Sequence, residues 1–199
     1  ASEHSGIVAN PNCSSIPLSL VLAPLRDAAG LRRVRLATYQ SRSGAGSESM
    51  DRLRAEPSDG HDLEMDWEFD GVEFDEEEKI RLETRKILDE PELPIGATCV
   101  RVPVLVGHAE AVWIETEDVL TPEQAERILG DAAGIALHPF PTPGKAAGGD
   151  KALVGRIRRD PADPQTLALF LACDNLRKGA ALNAIQIVEL LLGARAAAA

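Results

Sequence analysis

Two hydrophobic periods interleave irregularly along these 199 residues, and that mixture restricts the fold more than any other feature of the chain. Leu31 to Tyr39 repeats every second residue: Val34, Leu36 and Thr38 alternate with Arg33, Arg35 and Ala37, the pattern of a strand with one buried face. Ala97 to Val106, Glu110 to Thr116, Ala152 to Arg158 and Ala168 to Cys173 are further strand-length runs, the first two predicting a hairpin. Helical spacing governs Ser14 to Ala29 (Ile16, Leu20, Leu22, Leu25), closed by Gly30 and kinked at Pro24. It returns from Asp75 to about Asp89 (Ile80, Thr84, Ile87, Leu88), from Thr121-Pro-Glu-Gln124 to Gly130, and from Asp174 onward (Leu176, Ala180, Ala184, Ile187, Leu191). Strands and helices that mix without regular βαβ alternation specify an α+β domain.

The connecting segments are polar. Ser41 to Gly46 reads as a flexible turn, residues 47 to 74 as an irregular excursion with an aromatic patch (Trp67, Phe69, Phe74), and 139 to 150 as a Pro/Gly loop. Asp75-Glu-Glu-Glu78 has capping-box spacing, with Asp75 as cap and Glu78 at the third helical position. The net charge of −11 is held by residues 51 to 92, with 17 acids and 6 bases, which predicts a solvated acidic face and excludes a phosphate-backbone binder. No apolar run reaches the roughly 20 residues of a membrane span, and no signal-peptide pattern opens the chain, so the cytoplasm is expected. Three widely spaced cysteines and four scattered histidines (His4, His61, His108, His138) give neither a disulfide framework nor a metal site.

Asn10-Pro-Asn-Cys-Ser14 lies between the apolar run Gly6 to Ala9, which predicts a strand, and the first helix. A thiol at a strand-to-helix junction meets unpaired N–H groups and the positive end of the helix dipole, which favour a thiolate; Cys13 is therefore the candidate nucleophile. A small, half-buried hydrophobe is the competing reading for any single cysteine. Cys99 and Cys173, within or at the end of apolar strands, read as packing residues.

Six motifs in one order resemble the aspartate-β-semialdehyde dehydrogenase family nearly end to end. They are Ala9-Asn-Pro-Asn-Cys-Ser14, Ala37-Thr-Tyr-Gln-Ser41 leading into Ser43-Gly-Ala-Gly46, Glu76-Glu-Glu-Lys79 with Glu83-Thr-Arg-Lys-Ile87, Thr98-Cys-Val-Arg-Val-Pro103, Gly107-His108, and Asp174-Asn-Leu-Arg-Lys-Gly-Ala180. The resemblance implies a mixed, mainly antiparallel sheet flanked by helices, similar to the glyceraldehyde-3-phosphate dehydrogenase-like C-terminal domain. It also implies NADPH-dependent reductive dephosphorylation of β-aspartyl phosphate to aspartate β-semialdehyde, through a thioester on Cys13. A homodimer is the expected assembly, with small-molecule substrates and no nucleic-acid or membrane partner.

Residue by residue, the resemblance makes His108 the acid/base group, Gln40 the residue that orients the reacting carbonyl, and Arg101 the two-point clamp on the substrate α-carboxylate. Glu76 would meet the substrate ammonium, and Lys79 and Asn12 the phosphate. Ser43, Gly44 and Asn175 would touch the cofactor. From spacing alone Glu76, Lys79 and Glu83 share a helix face, and Glu77 stays a rival for the role of Glu76. Arg101 and His108 have opposite parity on a regular strand, so Pro103 or Gly107 must bend the chain for both to reach Cys13.

The chain departs from the family in two places. It has no strand–glycine-loop–helix unit for a dinucleotide, so most of the NADP site is expected upstream of Ala1. The stretch from Gly46 to Asp75 is short and acidic where the family carries an extra helix and strand. The expected organisation is a catalytic and dimerisation domain over 1–173, a helix over 174–195 that packs on the nucleotide-binding half, and a frayed tail over 196–199. An N-acetyl-glutamyl-phosphate reductase, a non-catalytic dimerisation fragment and a Cys-His hydrolase are the alternatives.

Overall fold

A computed structural model describes residues 6–56 and 61–197. Its centre is a six-stranded sheet in the order β2-β1-β3-β6-β5-β4, from β1 (Arg33–Gln40), β2 (Ile95–Arg101), β3 (His108–Glu115), β4 (Ile135–Leu137), β5 (Ala152–Arg159) and β6 (Thr166–Cys173). The β1–β2 and β4–β5 pairs are parallel, and β1–β3, β3–β6 and β5–β6 are antiparallel. This is the mixed, mainly antiparallel sheet of an α+β fold.

The alternation in β1 is explained by its neighbours: Val34, Leu36, Thr38 and Gln40 are buried, while Arg33 and Arg35 are exposed. The predicted hairpin does not form. β1 lies between β2 and β3, because an extended segment with one apolar face gains more by pairing on both edges than the six-residue link after Arg101 gains by folding back. The three-residue β4 was too short to leave a periodic signal.

On one face of the sheet lies α1 (Ser15–Ala29), which buries Leu18, Val21, Leu22 and Leu25 completely, at about 1.5–3 kcal/mol for each side chain. Beside it pack α3 (Asp75–Leu88) and α4 (Pro122–Asp131). Thr121 caps α4 as its sequence predicts, accepting the Gln124 N–H on Oγ1 while Gln124 Oε1 accepts the Thr121 N–H. In α3 the reciprocal contact is one residue earlier than expected: Glu77, not Glu78, accepts the Phe74 N–H. The acids that follow Phe74 all lie within the first turn, where any of them suits the helix dipole. Ile80, Thr84 and Leu88 form its buried stripe; Ile87 is exposed.

Other local expectations change. Residues 6–10 form no strand, and Ile7 stands in solvent. Ser41 to Gly46 is no flexible turn but holds a 3-10 turn (Arg42–Ala45), buried at Arg42 and Ser43, leading into α2 (Ser47–Ala55), which replaces the first part of the irregular excursion. A four-residue helix, α5 (Pro143–Ala146), interrupts the Pro/Gly loop. Beyond Cys173, Asp174 Oδ1 accepts the N–H groups of Leu176 and Arg177 as a cap should. The first turn, Arg177–Ala181, is π-wound before α6 (Leu182–Ala197) begins. The helix reaches Ala197; residues 198–199, part of the expected frayed tail, and His4 lie outside the described residues. Among the described residues no helix is long and apolar enough to cross a membrane, and no group of three or more His, Cys, Asp or Glu is arranged to hold a metal.

Candidate active site

The interposition of β1 removes the parity conflict. Gln40 ends β1 opposite Arg101 on β2, and Tyr39 opposes Ala109 on β3, which sets His108 beside Gln40 at the same strand end. Residues in register on neighbouring strands point to one face, so Gln40, Arg101 and His108 share the helix-covered side without any bulge. All three are buried.

Glu76, in the first turn of α3, ties this strand end to the start of α1. Its Oε1 accepts from Asn12 Nδ2 and from Gln40 Nε2, both at 3.0 Å. Lys79 Nζ is 4.0 Å from Glu76 Oε2 and donates to Asp75 Oδ2 at 2.7 Å; these contacts, the one to Asp75 first, hold the Lys79 ammonium above its ordinary range. Glu83, one turn on, accepts the Asn12 N–H at 2.7 Å. Glu77 faces elsewhere and accepts the Cys99 N–H at 2.8 Å. Of the two, it is Glu76 that meets Asn12 and Gln40.

Arg101 is braced on several sides. Nε donates to both carboxylate oxygens of Asp66 at 2.9 Å, Nη1 donates to Ser41 O at 3.1 Å, and the guanidinium carbon sits 4.6 Å from the centre of the Trp67 ring. Glu64 and Arg101 also exchange backbone hydrogen bonds at 3.0 and 2.8 Å. Glu64 pairs through its side chain with the buried Arg42 and with Arg52. Part of the acidic run is therefore no solvated face but a strap that neutralises two buried arginines. Nothing in a single sequence signals this, because the segment has no periodicity.

His108 Nδ1 accepts the Ser41 N–H at 3.0 Å, which assigns the ring hydrogen of the neutral imidazole to Nε2. Burial, followed by the nearby Arg101, pushes His108 down to about 3, so the ring is neutral near pH 7. Asn175 Oδ1 accepts from Ser41 Oγ, Ser43 Oγ and the Gly107 N–H at 3.1, 3.0 and 2.9 Å, and so holds the loop on which His108 rests. Gly107 has φ +98°, and a Cβ there would lie 2.6 Å from Pro143 O. At Gly44 a Cβ would come within 3.1 Å of Arg101 Nη1 and His108 Nε2. The bare edge at Gly44 and the buried, unpartnered Nε2 behind it fit a flat ring laid against this loop. Ser43 and Asn175, already bonded to each other, form its wall. His61 and His138 lie elsewhere, bonded to Glu56 O and the Phe140 N–H.

Cys13 lies just before Ser14, the N-cap of α1, packed so closely against the π-turn that a Cβ on Gly179 would be 3.2 Å from its own Cβ. The expected lowered thiol pKa is overturned. Burial and then the Glu76 carboxylate raise Cys13 to about 12, outweighing its own N–H and the distant Arg101. Cys99 and Cys173 are also free thiols, fully buried and raised by burial. Glu110, two residues beyond His108 on the same strand face, was read only as the start of a strand. It is wholly buried, neither carboxyl oxygen has a hydrogen-bond partner, and burial raises it well above the carboxylate range.

Residues 66–178 match the family described as semialdehyde dehydrogenase, dimerisation domain. The aspartate-semialdehyde dehydrogenase of Prochlorococcus marinus is 44% identical over 213 residues, covering 95% of this chain and 62% of its own length. That of Corynebacterium glutamicum is 41% identical over 220 residues, covering 94% and 64%. Two crystal structures of aspartate semialdehyde dehydrogenase II from Vibrio cholerae, one complexed with ASA, are 40% identical and cover 94% of this chain and 62% of theirs, with TM-scores of 0.89 and 0.86. The chain thus spans a little under two thirds of the length of these relatives. With the family match extending over more than half of its residues, this chain belongs to the semialdehyde dehydrogenase dimerisation-domain family.

Proposed function

We propose that this chain is the catalytic and dimerisation portion of an aspartate-semialdehyde dehydrogenase that reduces β-aspartyl phosphate to aspartate β-semialdehyde. One observation carries the reading: the amides of Asn12 and Gln40 meet on Glu76 Oε1, while Arg101 and His108 close on Gly44 at the same strand end. The ASA complex of the Vibrio cholerae relative supports the substrate class.

In this reading Arg101 clamps the α-carboxylate, Glu76 takes the ammonium, and Lys79 and Asn12 face the phosphate. Gln40 orients the acyl carbonyl. The Cys13 sulfur adds to the acyl carbon, the bond from that carbon to the phosphate oxygen breaks, and phosphate leaves with its electron pair and the thiol proton, giving a thioester. Substrate binding assists this step, because an ammonium on Glu76 cancels the negative charge that helps hold Cys13 as a thiol. His108 serves as a neutral donor whose Nε2–H stabilises the oxygen of the tetrahedral adduct. Ser43, Gly44 and Asn175 would hold the nicotinamide end of NADPH, which would supply the hydride. The 174–195 segment docks on a nucleotide-binding half, since Ile185, Val188, Leu190 and Leu192 of α6 are exposed here, and the 1–173 domain mediates a homodimer.

The test is phosphate-dependent reduction of NADP by the natural-length enzyme with aspartate semialdehyde. Cys13→Ser abolishes it, and N-acetyl-glutamate semialdehyde is a poor substitute. Undiminished activity of Cys13→Ser overturns the proposal, and turnover by the isolated 199-residue chain overturns the need for a separate nucleotide-binding half.

A further inference from the structure

The acidic strap around residue 66 supplies a part of substrate recognition that no motif of the family resemblance assigns. An arginine can bind a carboxylate in two-point fashion side-on, through Nε and one Nη, or end-on, through both Nη groups. In this structure Asp66 holds Nε with both oxygens at 2.9 Å, so the side-on approach is taken. Ser41 O takes a hydrogen of Nη1, and the Trp67 ring covers one face of the guanidinium. What is left is the end-on edge, the second Nη1 hydrogen together with Nη2, beside Gly44.

We propose that Asp66 is a positioning residue for substrate specificity: by fixing Arg101 through Nε, with Trp67 packed over the guanidinium, it presents the Nη1–Nη2 edge for end-on recognition of the substrate α-carboxylate. The inference rests on the reading of Arg101 as that clamp. The paired Asp66 also offsets the charge of Arg101. The site therefore selects a planar carboxylate by shape, while the phosphate goes to the unburied ammonium of Lys79. The backbone exchange between Glu64 and Arg101 and the pairing of Glu64 with Arg42 anchor the strap two residues before Asp66, so its position does not depend on the single ion pair.

The experiment uses the natural-length enzyme in the oxidative direction and reads separate KM values for aspartate semialdehyde and inorganic phosphate, with kcat. Asp66→Asn keeps the shape and loses the charge-assisted bonds. It is expected to raise KM for the semialdehyde about tenfold while KM for phosphate stays within about twofold. Asp66→Glu, which keeps the charge but moves it by a methylene, is expected to raise the same KM less, and it serves if the Asn variant does not fold. An unchanged or lowered semialdehyde KM in Asp66→Asn overturns the inference, as does a parallel rise in both KM values, which marks a merely structural role. Arg101→Lys separates the two levels. If it raises the semialdehyde KM while the Asp66 variants do not, the positioning role fails and the clamp stands; if it has no effect, the clamp reading itself fails.

Discussion

The backbone N–H of Ser41 points at Nδ1 of His108 from 3.0 Å, and this one hydrogen bond decides which form of the imidazole the fold accepts. A protonated ring would carry a hydrogen on Nδ1 and oppose the amide directly. The neutral ring, with its hydrogen on Nε2, is the form that fits.

Acid sensitivity follows. The folded His108 sits near 3 and an unfolded histidine near 6.5, so the stability it contributes is complete above pH 6.5 and is lost as pH falls toward 3. In that window each pH unit costs up to ~1.4 kcal/mol for this one proton. Urea unfolding of the chain between pH 4 and 7 measures the slope; His108→Gln is expected to be less acid-sensitive, and an equal slope in both proteins rejects the assignment.

Glu110 acts in the opposite direction. Its folded pKa lies above the unfolded one, so its stability is present below about pH 4.5 and declines as pH rises. Glu110→Gln removes the titration, and the variant is expected to lose less stability than the parent between pH 5 and 9. Thermal melts across that range read the difference.

Alkylation tests the thiol. With Cys13 raised to about 12 from a reference of 9.0, iodoacetamide is expected to modify it about a thousandfold more slowly at pH 7 than an unperturbed cysteine. Glu76→Gln removes the second cause of the rise and should quicken the reaction several-fold. Peptide mapping separates Cys13 from Cys99 and Cys173; no acceleration in the variant disproves the electrostatic link.

Asn175 holds three buried donors on one oxygen. Asn175→Ala orphans the Gly107 N–H and leaves the Ser41 and Ser43 hydroxyls with only each other and His108 Nδ1, and is expected to cost about 1–3 kcal/mol, whereas Asn175→Asp keeps an acceptor and should cost less. Chemical denaturation of the two variants ranks them, and a milder effect for Ala than for Asp contradicts the role given to Oδ1.

The sequence made α1, β1 and α4 legible because each is decided locally: a buried stripe, a one-faced alternation, a Thr121–Gln124 cap. It misplaced β2 and β3 because strand order depends on pairing between distant segments, and six residues of connection look like a hairpin whichever strand lies between. Gln40, Arg101 and His108 were named from motifs, but their shared face depends on β1 entering between β2 and β3. The contacts of Asp66 and Trp67 with Arg101 leave no trace in the sequence, because Arg101 is 35 residues from Asp66 along the chain. The sign of the Cys13 shift was misread for a related reason. A helix terminus is visible in sequence, whereas the burial that outweighs it is set by the π-turn and Glu76 packed nearby.

The sheet order has one more consequence. β2 is an outer strand: within the sheet it pairs with β1, and its far side carries the Glu64–Arg101 bridge, whereas β1 and β3 are interior. Opening the β1–β2 border would detach Arg101 and take the Val102 N–H from the Gln40 carbonyl, while the pairing of His108 with Cys173 on β6 stays. The Arg101 side of the sheet can thus loosen before the His108 side does, and the strap through Glu64 and Asp66 works as a clasp across that seam.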